Sequence, residues 1–261
     1  MVDFARPPAK QRAMGSPEPL PPPPALAEIA REAPVALFLD FDGTLVDIAD
    51  RPELIDVPGH LARNLLRLAD ALAGRLAVVS GRSIADLQRY LGDVPLAFGG
   101  SHGLEARLAD GTSAAHSTAG IDANLVSELE SFVARHDGLQ LETKSLGAAV
   151  HYRAVPQLQD AVLERLTALS RQHALAIKQG KCVVELLPPG ASKAAAVGAL
   201  MEREPFGTGM PVFIGDDVTD EDGFLEATAR GGFGIAVGER VSKNARYRLA
   251  SPDAVREWCK L

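Results

Sequence analysis

Two short acidic segments follow apolar runs and together could bind a cation. Asp40 and Asp42 come directly after the apolar run Val35–Leu39, with Gly43 to free the backbone, and Asp216 follows a later apolar run. Carboxylates held this close repel one another unless a cation lies between them. Hard oxygen ligands favour Mg²⁺ over zinc or copper. These residues predict a magnesium site, although the first segment taken alone is also typical of a polar turn.

Two further segments supply hydroxyl groups and positive charge. Ser80 and Arg82 follow the apolar run Leu76–Val79, and Ser192 and Lys193 lie at the predicted start of a helix. Backbone amides, the helix dipole, a lysine and a metal ion together make a binding site for phosphate. The four segments therefore favour chemistry on a phosphate group over an isolated metal site.

Strands and helices alternate at both ends of the chain, which predicts the elements that position these segments. Short apolar runs that end in polar residues are typical of strands buried on both faces of a parallel sheet. The pattern predicts an α/β fold, a doubly wound, Rossmann-like parallel sheet with its ligands at the carboxyl ends of the strands. The predicted strands are 35–39, 76–79, 96–98, 211–214 and 233–237.

The middle of the chain has a different pattern, in which a helix followed by two strands occurs twice. We interpret residues 107–188 as an inserted, smaller α+β domain. Residues 25–106 and 189–261 then form the core domain. Residues 1–24, which end in four prolines, are predicted to be a disordered tail because such a run cannot start a helix.

Composition narrows the class of partner. The 261 residues have a net charge of −7 with 46% hydrophobic and 23% charged side chains, and no apolar run approaches the length of a membrane span. We therefore expect a small-molecule partner, and neither nucleic acid nor a membrane. Only two cysteines are present, and no signal peptide is evident at the start. Both features favour the cytoplasm, and we expect a monomer.

The four polar segments, in this order, resemble the haloacid dehalogenase superfamily of phosphatases. The resemblance implies that Asp40 is the nucleophile, that Asp42 is the general acid and base, and that Lys193 offsets negative charge. It implies an Mg²⁺ site made by Asp40, the main-chain carbonyl of Asp42, and Asp216. The side chains implied to bind the phosphate are those of Thr44, Ser80 and Arg82.

A finer resemblance, over nearly all of residues 34–261, is to trehalose-6-phosphate phosphatases. It rests on 100–105, 151–153, 180–185 and 215–222. The resemblance implies hydrolysis of trehalose 6-phosphate through an aspartyl-phosphate intermediate. It further implies that residues 107–188 are a cap domain on a haloacid dehalogenase-like catalytic core. It also implies that Arg153 contacts the phosphate while Lys181 and Glu185 bind sugar hydroxyls. Lys181 and Glu185 fall on one face of a predicted strand, where an ordinary ion pair is the alternative.

Several alternatives stay open from the sequence. The substrate could be another sugar phosphate, such as a sucrose, mannosylglycerate or hexose phosphate, or the product could be a rearranged phosphate, as in a mutase. A non-catalytic sugar-phosphate-binding regulator is a third possibility, although both catalytic carboxylates are present. The sequence leaves the roles of four further polar residues open. His102 could contact the substrate or be structural, and Glu105 could bind the sugar or hold the core-to-cap junction. Asp217 and Asp220 could support the metal without ligating it or cap the following helix.

Overall fold

The computed structural model describes residues 20–49, 54–114, 121–144, 146–180 and 182–261. The strands are β1 (Val35–Leu39), β2 (Leu76–Val79), β3 (Ala97–Gly100), β4 (Glu105–Arg107), β5 (Gln140–Thr143), β6 (Ala148–His151), β7 (Ala176–Gly180), β8 (Val183–Leu187), β9 (Met210–Gly215), β10 (Phe233–Val237) and β11 (Tyr247–Leu249). The α-helices are α1 (Leu26–Glu32), α2 (Leu61–Ala71), α3 (Ile84–Leu91), α4 (Ala123–Val133), α5 (Gln159–Gln172), α6 (Lys193–Met201), α7 (Glu221–Ala229) and α8 (Pro252–Cys259). None of the helices in these ranges is long and apolar enough to cross a membrane.

A seven-stranded sheet forms the core, in the order β11-β10-β9-β1-β2-β3-β4. Strands β11 to β3 pair in parallel, which confirms the predicted α/β fold. Strand β4 differs, because it pairs antiparallel with β3. The turn Ser101–Gly103 reverses the chain between them, and His102 adopts a left-handed backbone conformation with φ 54°.

The central strand β1 is covered on both faces, as its continuous apolar sequence predicts. Val35, Leu37 and Leu39 pack into one apolar cluster, together with residues of α1, α2, α3 and α8. Ala36 and Phe38 pack into a second cluster that includes residues of α6 and α7. The carboxyl ends of β1, β2 and β9 therefore open onto one edge of the sheet, where the predicted catalytic segments begin.

A second sheet of four antiparallel strands has the order β5-β6-β8-β7. Helices α4 and α5 cover one of its faces through a separate apolar cluster, which contains Leu125, Leu129, Val162 and Leu166. This arrangement agrees with the predicted repeat of a helix followed by two strands. The other face carries polar residues and is turned toward the core sheet, because Glu185 of β8 contacts His102 of the core.

The chain stays with the core sheet beyond residue 106, where the inserted segment was predicted to begin. A turn through Gly111, with φ 89°, brings Ala114 back to Ala106, and the Ala114 amide donates to the Ala106 carbonyl at 2.8 Å. Ala114 is buried within the second core cluster. The predicted boundary overlooked this hairpin because short polar turns give little signal before an inserted domain.

The two ends of the chain also differ from the prediction. Residues 1–19 of the predicted tail lie outside the described residues, but residues 20–24 contact the core. The Pro21 carbonyl accepts from the Arg248 amide at 3.0 Å, and the Pro24 carbonyl accepts from the Trp258 indole at 2.8 Å. Proline has no N–H to donate, yet an extended proline run presents its carbonyls freely. Both donors come from β11 and α8, elements that were not predicted.

Candidate active site

Asp40 and Lys193 form a buried ion pair at the carboxyl edge of β1. Asp40 is the first residue after the strand, and its amide donates to the Ile214 carbonyl of the neighbouring strand β9 at 2.9 Å. Lys193 is the first residue of α6, whose N-cap Ser192 accepts from the Ala195 amide. The Lys193 Nζ lies 2.7 Å from Asp40 Oδ1 and 2.5 Å from Asp220 Oδ1. Both sequence-predicted residues therefore meet, although 153 positions separate them along the chain.

Asp220 is a residue at this site whose role the sequence left open between support of the metal and a helix cap. Its side chain is 0% exposed, and its second oxygen accepts from the Asp217 amide at 2.8 Å. Asp217 and Asp220 form a reciprocal cap on the short 3₁₀ turn Val218–Asp220 that precedes α7. The recurrence of acids in 215–222 was visible in the sequence, but only the fold shows that Asp220 is the one that turns inward.

A divalent cation fits the acidic cluster. Oxygen atoms of Asp40, Asp216 and Asp220 lie within 4.8 Å of one another, and one of the Asp216 oxygens is buried with no hydrogen-bond partner among the described residues. Burial and the Asp220 carboxylate raise the pKa of Asp216 to about 6, and they raise the pKa of Asp40 well above its usual value. Carboxylates with these raised pKa values are the oxygen ligands that a hard cation such as Mg²⁺ stabilises in the ionised form.

Gly43 keeps room for this cluster. Its φ is 78°, and a Cβ at this position would lie 2.2 Å from Asp216 Oδ2. Any side chain would therefore displace the Asp216 carboxylate as well as strain the backbone. The glycine that follows the two aspartates in sequence is needed both for the turn and for the approach of the second acidic segment.

Arg240 supports the backbone of the acidic segment, and no pattern in the sequence indicated this contact. Its guanidinium donates to the Asp216 and Asp217 carbonyls, each at 2.9 Å, and pairs with Glu221 at 2.8 Å. A planar guanidinium with several fixed donors suits this role better than a lysine ammonium. The contacts fix the backbone on which Asp216 presents its carboxylate.

Asp42 is placed differently from the other aspartates. Its carboxylate accepts two hydrogen bonds from Arg82, both at 2.7 Å, and it is 35% exposed. The Arg82 guanidinium also lies over the Tyr90 and Phe41 rings, at 5.2 and 6.0 Å. Arg82, for which substrate binding stays a prediction, contacts Asp42 at the mouth of the site. Its planar group satisfies a carboxylate and two aromatic faces at once.

The two predicted hydroxyls are buried at the same edge of the sheet. Thr44 Oγ1 donates to Asp40 Oδ2 at 3.3 Å, and Thr44 is 0% exposed. Ser80 Oγ accepts from the Arg82 amide at 3.1 Å at the end of β2. Both hydroxyls thus belong to the catalytic edge, with Thr44 directly on the carboxylate of Asp40.

A cleft of about 330 Å³ lies between the two sheets and reaches Asp42 and Arg82. Its opposite wall comes from the second sheet and includes Glu142, Lys144 and Glu185. The lining is rich in hydrogen-bonding and charged side chains, which suits a polyhydroxylated ligand better than an apolar one. The remaining lining residues are Ile48, Ala49, Ile55, Gly81, Asp86, His102, Ala149, His151, Arg153 and Val183.

Glu185 links the second sheet to the core. Its carboxylate accepts from Lys144 at 2.6 Å and contacts His102 Nε2 at 3.1 Å. Burial alone would raise the pKa of Glu185, but the hydrogen bond from His102 and the charge of Lys144 outweigh it and lower the pKa to about 2. Through this hydrogen bond His102 connects the two sheets, and burial lowers its own pKa. It also packs so closely on Gly81 that a Cβ there would lie 2.7 Å from its ring.

We expect Glu185→Gln to weaken the acid dependence of stability. The pKa of Glu185 is about 2 in the folded chain and 4.5 in its unperturbed state, so its contribution is full above pH 4.5 and is lost as the pH falls toward 2. The pKa difference corresponds to roughly 3 kcal/mol of unfolding free energy at neutral pH. Urea unfolding from pH 7 to pH 3 should show wild type and variant converging, whereas exposed Glu164→Gln should parallel wild type. A constant gap between wild type and Glu185→Gln would contradict this account of the network.

Glu105 has a structural position. Its carboxylate accepts from Ser101 Oγ at 2.6 Å and from the Ile84 amide at the first residue of α3, at 3.2 Å. It therefore ties β4 to the turn after β3 and to the start of that helix, all of which belong to the core. The alternative, sugar binding, is not supported because Glu105 does not line the cleft.

The remaining predicted substrate residues lie on or near the second sheet. Arg153 is exposed and lines the cleft two positions beyond His151, which ends β6 and pairs with Glu142 at 2.8 Å. Lys181 lies outside the described residues. The structure therefore brings Arg153 and Glu185 to one cleft with Asp42 and Arg82, while Asp40, Lys193 and Asp216 form the buried centre beneath it.

The sequence and the fold both match proteins of known type. The chain matches the trehalose-phosphatase family over residues 38–253. A trehalose-6-phosphate phosphatase of Escherichia coli (strain K12) is 37% identical over 233 residues, which cover 88% of this chain and 86% of that protein.

Among solved structures, a trehalose-6-phosphate phosphatase related protein superposes with a TM-score of 0.72 at 25% identity, covering 86% of this chain and 95% of the other. The C-terminal domain of a trehalose-6-phosphate phosphatase of C. albicans has a TM-score of 0.73 at 22% identity, covering 94% and 100% of the two chains. The second match concerns the fold alone. With the family match spanning most of its length, the chain belongs to the trehalose-phosphatase family of phosphoric monoester hydrolases.

Proposed function

We propose that this chain is an Mg²⁺-dependent phosphatase that hydrolyses trehalose 6-phosphate through an aspartyl-phosphate intermediate. The observation that carries the proposal is the buried Asp40 carboxylate, which Lys193 contacts at 2.7 Å beside Asp216 and Asp220, beneath a polar cleft. The 37% identity to the E. coli enzyme supports trehalose 6-phosphate as the substrate.

In the first step an oxygen of Asp40 attacks the phosphorus atom, and the bond from phosphorus to the sugar oxygen breaks. Asp42 gives a proton to that departing oxygen, which leaves as a hydroxyl of trehalose. Lys193 stays within hydrogen-bond distance of Asp40 and offsets the repulsion between carboxylate and phosphate. The carboxylates of Asp40, Asp216 and Asp220, with the main-chain carbonyl of Asp42, are the groups that would hold Mg²⁺. When bound there, the ion would supply further positive charge at the phosphate oxygens.

In the second step Asp42 takes a proton from water as the water oxygen attacks phosphorus, and the bond from phosphorus to Asp40 breaks. Free phosphate leaves and the Asp40 carboxylate is restored. Arg82 holds Asp42 at the cleft through two hydrogen bonds, so the carboxylate is already positioned for both proton transfers. Thr44 and Ser80 supply hydroxyls at the edge where the phosphate must lie.

We further propose that the four-stranded sheet with α4 and α5 acts as a cap that binds the sugar. Glu185 and Arg153 reach the cleft from this unit, and both charged and hydrogen-bonding groups are presented there. Closure of such a unit would exclude bulk water from the phosphate. The enzyme is expected to work as a monomer in the cytoplasm, in keeping with its two free cysteines, Cys182 and Cys259.

The proposal is tested by phosphate release from a panel of esters with purified protein and Mg²⁺. Trehalose 6-phosphate should be hydrolysed with the highest kcat/KM, ahead of sucrose, glucose, mannose and mannosylglycerate phosphates, and chelator should stop release. Equal release of trehalose and phosphate would exclude a mutase. Preference for another ester would overturn the substrate, and binding without release from any ester would favour the regulator instead.

A further inference from the structure

One row of side chains crosses the core-facing side of the second sheet. Glu142 pairs with Ala149, Ala149 with Glu185, and Glu185 with Lys178, across the four strands in turn. Residues directly opposed in antiparallel strands place their side chains on the same face. Glu142, Ala149 and Glu185 line the cleft. Lys178 therefore continues this face on the edge strand β7.

The ammonium group of Lys178 is buried and has no hydrogen-bond partner among the described residues. A buried charge without a partner is unfavourable, so its position calls for a ligand. Burial lowers the pKa of Lys178, while the charges of Asp222 and Glu185 oppose that effect. Asp217 and Lys193 of the core also act on it. The ammonium is therefore near enough to the acidic segment of the core to feel the charges of Asp222 and Asp217.

Two positively charged side chains of the catalytic centre, those of Lys193 and Arg82, already contact carboxylates. Lys193 is already bonded to two carboxylates, Asp40 and Asp220. Arg82 is engaged by Asp42 through two hydrogen bonds. A phosphate group adds negative charge to a site that already holds several aspartates. A buried ammonium on the second sheet, with no hydrogen-bond partner among the described residues, can supply positive charge in addition to that of Lys193.

We propose that Lys178 is a phosphate-binding residue, which donates from the second sheet to the phosphate group of the substrate. This inference rests on the proposed phosphatase function. Two other roles are possible for this side chain. A contact with the sugar would affect only sugar esters. An ion pair with Asp222, here called a latch, would join the second sheet to the core whether or not phosphate is bound. Each of these assignments predicts a different pattern of loss.

The test is Lys178→Met, which keeps most of the side-chain volume and removes the charge. We expect kcat/KM to fall about 10- to 100-fold for both trehalose 6-phosphate and p-nitrophenyl phosphate, as for loss of a charge-assisted hydrogen bond. Inhibition by inorganic phosphate should weaken to a similar extent. Lys178→Arg should keep most of the affinity for phosphate, and the exposed, distant Lys260→Met should match wild type.

Thermal unfolding separates this role from a structural one. Because the ammonium has no hydrogen-bond partner in the described part of the chain, Lys178→Met should raise Tm while it lowers activity. A lower Tm would overturn the proposal in favour of a structural lysine. If Lys178→Met lowers kcat/KM only for trehalose 6-phosphate and leaves inhibition by phosphate unchanged, Lys178 contacts the sugar. If Asp222→Asn lowers kcat/KM and phosphate inhibition as much as Lys178→Met does, the two residues form a latch.

The failure of this inference is distinct from the failure of the proposed function. Wild-type protein that hydrolyses neither ester would contradict the phosphatase itself. Active wild type with Lys178→Met unchanged in kcat/KM and in phosphate inhibition would contradict only the role of Lys178.

Discussion

Asp40→Asn is expected to abolish phosphate release, with a fall in kcat on the order of 10⁴-fold or more, as for removal of a catalytic nucleophile. An asparagine amide is not an anionic nucleophile and cannot form the acyl phosphate. The exchange should not unfold the protein, because burial and the neighbouring Asp220 carboxylate already disfavour the charged form of Asp40 and hold its pKa above its usual value. An amide oxygen can still accept the hydrogen bond from Lys193.

The measurement is the rate of phosphate release beside the unfolding free energy in urea. Asp70→Asn is the matched control, since Asp70 is exposed near the end of α2, which leads to the opposite edge of the sheet from the site. That control should keep wild-type activity. Asp40→Asn protein that is folded and retains more than a small fraction of wild-type activity would remove Asp40 from the proposed role.

Lys193→Met is expected to lose both activity and stability. Lys193 is 3% exposed and neutralises Asp40 and Asp220 together, and these two carboxylates are what most raise its pKa against the effect of burial. Breaking a buried ion pair on one side destabilises a protein by about 3 to 5 kcal/mol, because a charge is left without a partner. Loss of the positive charge at the reacting phosphate should lower kcat by about 10²- to 10³-fold as well.

The stability loss of Lys193→Met should depend on whether the carboxylates of the cluster are neutralised. In chelator at neutral pH the deficit should be largest, and Mg²⁺ should reduce it because the ion also neutralises the cluster. The double variant with Asp220→Asn should recover part of the stability, since one of the unpaired carboxylates is then neutral. Lys260→Met serves as the exposed control. A Lys193→Met protein as stable as wild type in chelator would contradict the account of the buried pair.

The sequence allowed the core sheet and its catalytic edge to be predicted, because these depend on strong local signals. The apolar run Val35–Leu39 followed by Asp40 specifies a central strand with a polar end, and Lys193 follows a serine that caps its helix. Parallel strands bring such ends together whatever their distance in sequence. The meeting of Asp40 and Lys193 was therefore foreseeable from patterns of a few residues each.

Contacts set by tertiary packing could not be foreseen in this way. The engagement of Arg82 by Asp42, the support from Arg240, and the inward turn of Asp220 depend on loop geometry that no periodicity encodes. Strand β4 was missed because a left-handed residue, His102, reverses the chain within a short turn. The proposed role of Lys178 rests on the register of β7 against β8, which no sequence pattern specifies. Residues 181 and 50–53 lie outside the described part of the chain.

The central claim is that Asp40 carries the phosphoryl group, and trapping that group tests it most directly. In Asp42→Asn the base for the second step is missing, whereas p-nitrophenyl phosphate has a leaving group that needs no proton for the first. Mixed with this ester and Mg²⁺, the variant should release a burst of p-nitrophenol equal to the enzyme present, and mass spectrometry after acid quenching should find a phosphoryl group on Asp40. Slow, steady release without a burst, or a phosphoryl group on another residue, would contradict the account.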